Sequence, residues 1–237
     1  MSFIIAVHVN EGMVLASDRR TTYTNTWETE GKVIERIGVH TTDTTDKTFI
    51  CPNGAGISTC GAAALLGKPI TGFIQEMIRT KIGEQCPVSD IPQIIIIDYF
   101  TTFPCVPDTN FIVAGYGLVD GEKQQLVYSV RVRSGNFEQM DTKLQGAAWD
   151  GETSTLSRLL NNVATKNDDG GYDDLASEEI PWEYFTMQDA VDFARYAVET
   201  TIQTMRFKNV VKTVGGPVDI LVITPDETKW LQKETLK

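Results

Sequence analysis

The run Phe3-Ile4-Ile5-Ala6-Val7-His8-Val9 begins almost at the first residue of the chain. After Asn10-Glu11-Gly12 comes a second apolar run, Met13-Val14-Leu15-Ala16-Ser17. Two apolar runs split by a Gly-containing break read as two strands joined by a tight turn. Most domains leave their first few residues loose. Either this strand is simply where the chain starts, or the start is itself the working part.

The rest of the chain alternates between the two periods. Thr21 to Asp46 is polar and Thr-rich, with a candidate strand at Lys32–Val39. Lys47–Cys51 and Gly56–Cys60 read as a hairpin across Pro52-Asn53-Gly54. The period then becomes helical from Ala62 to Ile82, with Pro69 kinking or delaying the first turn. A second helix is predicted over Ser89–Phe100, with Ser89 as its cap. Strands return at Asn110–Tyr116, Gln125–Arg133 and Phe137–Asp141, and a helix at Thr153–Val163. Asn167–Glu179 is acidic and without period, hence an exposed loop. Thr186-Met187-Gln188-Asp189 reads as a capping box opening a long helix. Strands at Val218–Thr224 and Lys229–Gln232 close the chain. Strands, two helices, strands, two helices, strands: that order predicts two sheets with helices packed outside them.

Composition removes several classes of function. At 237 residues and 41% hydrophobic content the chain can build a sizeable core. It contains no apolar run of spanning length, so no membrane partner is expected, and the reading is a cytoplasmic protein. A net charge of −11 argues against a nucleic-acid partner, which needs basic patches. Cys51, Cys60, Cys86 and Cys105 form no CxxC pair, and His8 and His40 stand alone. Zinc ligands come clustered, so no metal and no cofactor is expected, and the thiols read as buried or half-buried in a reducing compartment. There is no GxxxxGK[ST] loop, so the chain is not itself an ATPase.

Four blocks carry a resemblance, in order along nearly the whole chain. They are Gly12-Met13-Val14-Leu15-Ala16-Ser17-Asp18-Arg19-Arg20-Thr21; Lys47-Thr48-Phe49-Ile50-Cys51 with Gly56-Ile57-Ser58-Thr59-Cys60-Gly61-Ala62-Ala63; Phe111-Ile112-Val113-Ala114-Gly115-Tyr116; and Gly215-Gly216-Pro217-Val218-Asp219-Ile220-Leu221-Val222-Ile223-Thr224. Together they resemble proteasome β-type subunits and the bacterial proteasome-like proteins, the HslV and Anbu groups among them. These are N-terminal nucleophile hydrolases. The resemblance implies an α+β fold, a four-layer αββα sandwich in a single domain over residues 1–237. It also implies a peptidase that acts on peptides or unfolded protein inside a homo-oligomeric ring or stacked rings. An ATPase unfoldase partner follows by analogy only.

The same resemblance assigns the site. Removal of Met1 would put Ser2 at the family's nucleophile position, Asp18 at its acid, Lys47 at its lysine and Gly61 at its oxyanion-binding N–H. Thr21, Thr59 and Ala63 would line a small, uncharged specificity pocket. The chemistry needs no histidine. The α-amine of an N-terminal residue, with an ordinary pKa of ~7.7–8.0, can act as the base. A nearby ammonium favours the neutral amine, a carboxylate offsets that buried charge, and a backbone N–H stabilises the tetrahedral intermediate. Each residue alone has a plainer reading. Asp18 could pair with Arg19 or Arg20, Lys47 could be a solvated strand end, Gly61 a helix entry, and the pocket residues ordinary packing.

The chain departs from the pattern in four places. Most active members use Thr where this chain has Ser2. The segment between Asp18 and Lys47 is long by comparison, which leaves Lys32 as a rival lysine. The family's supporting serines are not evident, and Trp149-Asp150-Gly151 stands in the loop before the third helix, with Asp150 as a candidate substitute acid. These differences keep two alternatives open: a non-catalytic ring subunit, and a small-molecule amidase or acyltransferase of the same fold.

Overall fold

The structure is a computed structural model that describes residues 2–29, 31–176 and 178–234. The opening runs are strands: β1 (Phe3–Val9) and β2 (Gly12–Asp18) pair antiparallel, with Val7 opposite Val14. Next come β3 (Thr21–Thr29), β4 (Lys32–Thr42), β5 (Thr48–Ile50), β6 (Gly56–Gly61), and the two-residue strands β7 (Ala64–Leu65) and β8 (Lys68–Pro69). Helices α1 (Ile70–Lys81) and α2 (Ile91–Thr102) follow, then β9 (Thr109–Val119), β10 (Glu122–Arg131), β11 (Asn136–Gln139) and β12 (Gly146–Gly151). The last third holds α3 (Ser154–Leu160), β13 (Ala164–Lys166), β14 (Tyr172–Asp174), α4 (Met187–Phe207), β15 (Val218–Ile223) and β16 (Thr228–Gln232).

Two five-stranded antiparallel sheets result, ordered β12-β1-β2-β15-β16 and β11-β10-β9-β6-β5. Side chains alternate across a strand, and here both faces are covered. Phe3, Ile5 and Val7 of β1 pack with Ala190, Ala194 and Val198 of α4. Ile4 and Ala6 pack with Met13 and Leu15 of β2 and with Ile112 and Ala114 of β9, between the sheets. On the far side of the second sheet, Phe111 and Val113 meet Ile74 and Met77 of α1 and Ile91 and Ile95 of α2. Double burial explains why β1, β2 and β15 are apolar without alternation: neither face meets water. Gly56 faces the other sheet at close range. A Cβ there would lie 2.6 Å from Leu15 and 2.9 Å from both Ile223 and Leu221.

Several sequence expectations need correction. The first helix starts at Ile70, not Ala62. Pro69, which has no N–H for an inner helical turn, stands at its N-cap, and residues 64–69 turn through Leu66 and Gly67, both at positive φ. Ser89 does not cap α2. It lies in a single 3-10 turn (Val88–Asp90), and no side chain caps α2. The third helix is shorter, Ser154–Leu160. The stretch around Trp149-Asp150-Gly151 is not a loop but strand β12, paired with β1. Thr21–Thr42 is a long two-stranded hairpin rather than a polar stretch with one strand, and the acidic segment holds strand β14, paired with β13 just before it. Cys105 is exposed, not buried. The capping box is present: Asp189 N–H donates to Thr186 Oγ1, and Thr186 N–H donates to the Asp189 carboxylate at 2.9 Å. Among the described residues no helix is long and apolar enough to cross a membrane.

Leu15 is fully buried between the sheets. Leu15→Ala should therefore destabilise the protein by about 2–5 kcal/mol, read as a lower denaturant midpoint at unchanged m-value.

Candidate functional site

Asp18 ends β2 at the point where β1 begins and β15 approaches, with Val218 opposite it. Its carboxylate is fully buried and takes four donors. Oδ1 accepts from Phe3 N–H at 3.0 Å and from Lys47 Nζ at 2.7 Å. Oδ2 accepts from Arg20 N–H and Gly215 N–H, each at 3.0 Å. One side chain thus binds the first strand, the segment after β2, the loop before β15 and the lysine before β5. A Cβ on Gly215 would lie 2.5 Å from the Arg20 guanidinium carbon, so that side chain, paired with Asp43, would have to shift.

Lys47 is buried, and its ammonium also donates to Arg20 C=O at 2.5 Å. Burial pushes its pKa below the ordinary lysine range, and the adjacent Asp18 carboxylate works against that shift. Lys32 begins β4 at the outer end of the exposed hairpin, opposite Thr29. The geometry gives the Asp18 partnership to Lys47.

Ser2 is buried, and its carbonyl accepts from Glu152 N–H at 2.8 Å. Gly151 lies at φ +93°, and a Cβ on it would sit 1.8 Å from that carbonyl oxygen, so only glycine lets β12 close over the start of β1. Met1, whose removal the sequence reading requires, lies outside the described residues.

Gly61 ends β6 at φ +112°, and a Cβ would lie 2.2 Å from the Asp108 carbonyl oxygen. Thr59 N–H donates to Lys47 C=O and Ala62 N–H to Asp108 C=O. Strand alternation therefore sends Gly61 N–H to the side of Thr59 N–H, where β5 has already ended. That side is a cavity of about 330 Å³. Ser2, Lys47, Gly61, Thr21, Thr59 and Ala63 all line it, together with Tyr23, Thr45, Asp46, Cys60 and Ile70. Asp18 stands behind the wall, without exposure. The walls are mostly hydroxyls and small side chains, with the lysine as the cation.

Sequence reasoning missed three supporting arrangements. Ser17, Thr48 and Ser58 form a buried chain of hydroxyls with 2.8 Å links, joining the two sheets beneath Asp18 and Lys47. Arg19 pairs with Asp219 at 2.9 Å and with Asp46 at 2.8 Å, while Lys233 pairs with the same two carboxylates. This ties the neighbours of Asp18 and Lys47 to the end of the described chain. Asp150 accepts from Asn110 Nδ2 at 2.9 Å, linking β12 to β9. The polar spacing in Ser17-Asp18-Arg19 and Asp46-Lys47-Thr48 is the one signal that pointed there. Cys60 faces this region as an inert thiol: burial first, then the Asp150 carboxylate, raise its pKa far above the ordinary value.

No family model matches the chain, and no curated protein matches it. Among solved structures, Anbu from Hyphomicrobium sp. strain MC1 superposes with a TM-score of 0.59 over 98% of this chain and 86% of that one, at 14% identity. The Anbu (Gly-1) mutant from the same strain gives 0.57 over 99% and 86%, again at 14% identity. The overall fold is thus the mixed α/β fold of these Anbu structures, one of the groups to which the four sequence blocks bear a resemblance.

Asp18→Asn should cost about 3–5 kcal/mol, because it strands a buried ammonium. The double variant with Lys47→Met should lose less than the sum of the two single losses, the mark of direct coupling in denaturant titrations. Lys47 also predicts a pH signature. Its native pKa lies below the unfolded value of 10.5. Between those two pH values the unfolded chain binds more protons, so Lys47 contributes a rise of stability with pH there. The difference in unfolding free energy between wild type and Lys47→Met, followed across the alkaline range, should show that rise.

Proposed function

We propose that the chain is a proteasome-like N-terminal nucleophile hydrolase: a single-domain, four-layer αββα protein that cleaves amide bonds in peptides or unfolded protein. One observation carries this reading. Lys47, paired with the buried Asp18 carboxylate behind it, lines a cavity that Ser2 and Gly61 also line.

In this reading Met1 is removed and Ser2 becomes the N-terminal residue. Its α-amine takes the Oγ proton as Oγ attacks the scissile carbonyl carbon. The Lys47 ammonium, held by Asp18, keeps that amine neutral beforehand by charge repulsion. Gly61 N–H donates to the oxyanion of the tetrahedral intermediate. The C–N bond breaks, the α-ammonium returns its proton to the leaving amine, and an acyl ester remains on Ser2. Water then adds with the amine again as base, and the acid leaves with Ser2 restored. The small neutral lining from Thr21, Thr59 and Ala63 selects small uncharged side chains. The resemblance also supports a homo-oligomeric ring or stacked rings in the cytoplasm, with an ATPase unfoldase as partner by analogy.

The test is an intact-mass spectrum of the purified protein with and without a β-lactone probe. The expected result is loss of Met1 and one adduct, mapped to Ser2. Ser2→Ala should lose the adduct and keep its assembly state. A chain that retains Met1 and ignores the probe supports the non-catalytic ring subunit instead. Labelling with no peptide cleavage, but with turnover of small amides, supports the amidase.

A further inference from the structure

Besides the two-residue pair β7–β8, two hairpins stand outside the five-stranded sheets. The arm β3–β4 pairs only with itself among the described residues, and so does β13–β14. A lone two-stranded hairpin is marginal in water, and strands of this length make an arm roughly 30 Å long.

The arm has two different faces. Thr24 and Glu35 are turned to the body, where they line a groove with Met205 and Val211. The register places Trp27 opposite Ile34, Asn25 opposite Arg36 and Thr29 opposite Lys32, all on the other face. That outer face therefore carries two exposed apolar side chains and two cations. Neither Lys32 nor Arg36 has an ion-pair partner among the described residues.

The second hairpin is opposite in net charge to that face, with Lys166 as its cation. Asp168, Asp169, Asp173 and Asp174 lie on it, all exposed, beside exposed Tyr172 and Leu175. None of these carboxylates forms an ion pair among the described residues. Each hairpin combines exposed apolar side chains with unpaired charge, and the signs are complementary. We propose that the basic, Trp-bearing face of the β3–β4 arm docks on the acidic β13–β14 hairpin of a second copy of this chain. The two surfaces differ, so the contact is heterologous. Such contacts repeat head to tail and close into a ring when the rotation allows. The arm is rooted at the cavity, which Thr21, Tyr23 and Thr24 line, so the docked copy would stand beside the cavity's mouth. This inference rests on the proposed assembly and is independent of the proposed chemistry.

Charge reversal tests it on the full chain, by sedimentation velocity over a concentration series. Lys32→Glu with Arg36→Glu should raise the concentration needed for assembly roughly a hundredfold or more, through like-charge juxtaposition. Asp169→Lys with Asp174→Lys should do the same. All four positions are exposed, so the thermal melts of the unassembled variants should match one another. The chain carrying all four substitutions should assemble again, because its arm and hairpin are once more complementary. Reversed variants that assemble as wild type does, or a fourfold variant that fails to recover, overturn the contact and leave the assembly reading standing. A wild-type chain that sediments as a monomer overturns both. Probe labelling of Ser2 reports the chemistry separately in every case.

Discussion

The carboxylate of Asp18 is the constraint on which the rest depends. A buried carboxylate is tolerable only when its lone pairs are taken and its charge is answered. Here Phe3 N–H, Arg20 N–H, Gly215 N–H and Lys47 Nζ do both. Those donors come from four separated parts of the chain. Fixing Asp18 therefore fixes where β1 starts, how the chain leaves β2, how the 215 loop enters β15 and where the lysine stands. Beside it, Gly151 lets β12 close on Ser2, where a Cβ would meet the Ser2 carbonyl oxygen.

The surroundings carry this precision outward. The Ser17–Thr48–Ser58 hydroxyls lock β2 to the second sheet within one side chain of Asp18 and Lys47. Arg19, the residue after Asp18, and Asp46, the residue before Lys47, are paired to each other and to the Asp219–Lys233 ends of β15 and β16. The two members of the central pair are thus held through their chain neighbours as well as through their own contact. Low-dielectric surroundings make such fully satisfied networks rigid and make a broken member costly.

What could be read from the sequence followed from periodicity and from local chemistry. The buried strands β1, β2, β9 and β15 and the helix α4 announced themselves by apolar runs or a 3.6 period, and the Thr186 cap by its own residues. The proximity of Ser2, Asp18, Lys47 and Gly61 came from matching blocks; no local rule brings residues 2, 18, 47 and 61 together. The failures have physical causes. Ala62–Pro69 has helical composition, yet a prolyl ring at 69 and a turn at Leu66-Gly67 stop the helix there. The β3–β4 arm is polar because it is exposed, so nothing in its apolar pattern marks two strands. β12 was hidden because its Gly-Ala-Ala-Trp-Asp-Gly is half-buried and weakly apolar, and it is made a strand by β1 beside it.

Stability alone is a poor reason to build such a pair. A well-packed apolar pair of similar volume would hold the same elements together as well or better, without the desolvation of two charges. The surrounding core shows that the chain has the apolar residues to do so. What an apolar pair cannot supply is a fixed positive potential at a small cavity, set beside a serine and an N–H that the strand alternation turns inward. Charged groups displaced from their ordinary pKa in a cavity are found where chemistry needs them, and Lys47 is displaced by burial while its counter-charge stays hidden behind the wall. The arrangement costs folding free energy at one point and concentrates polarity there. The proposed chemistry, which needs one amine held neutral and one oxyanion stabilised, would draw on that concentrated polarity.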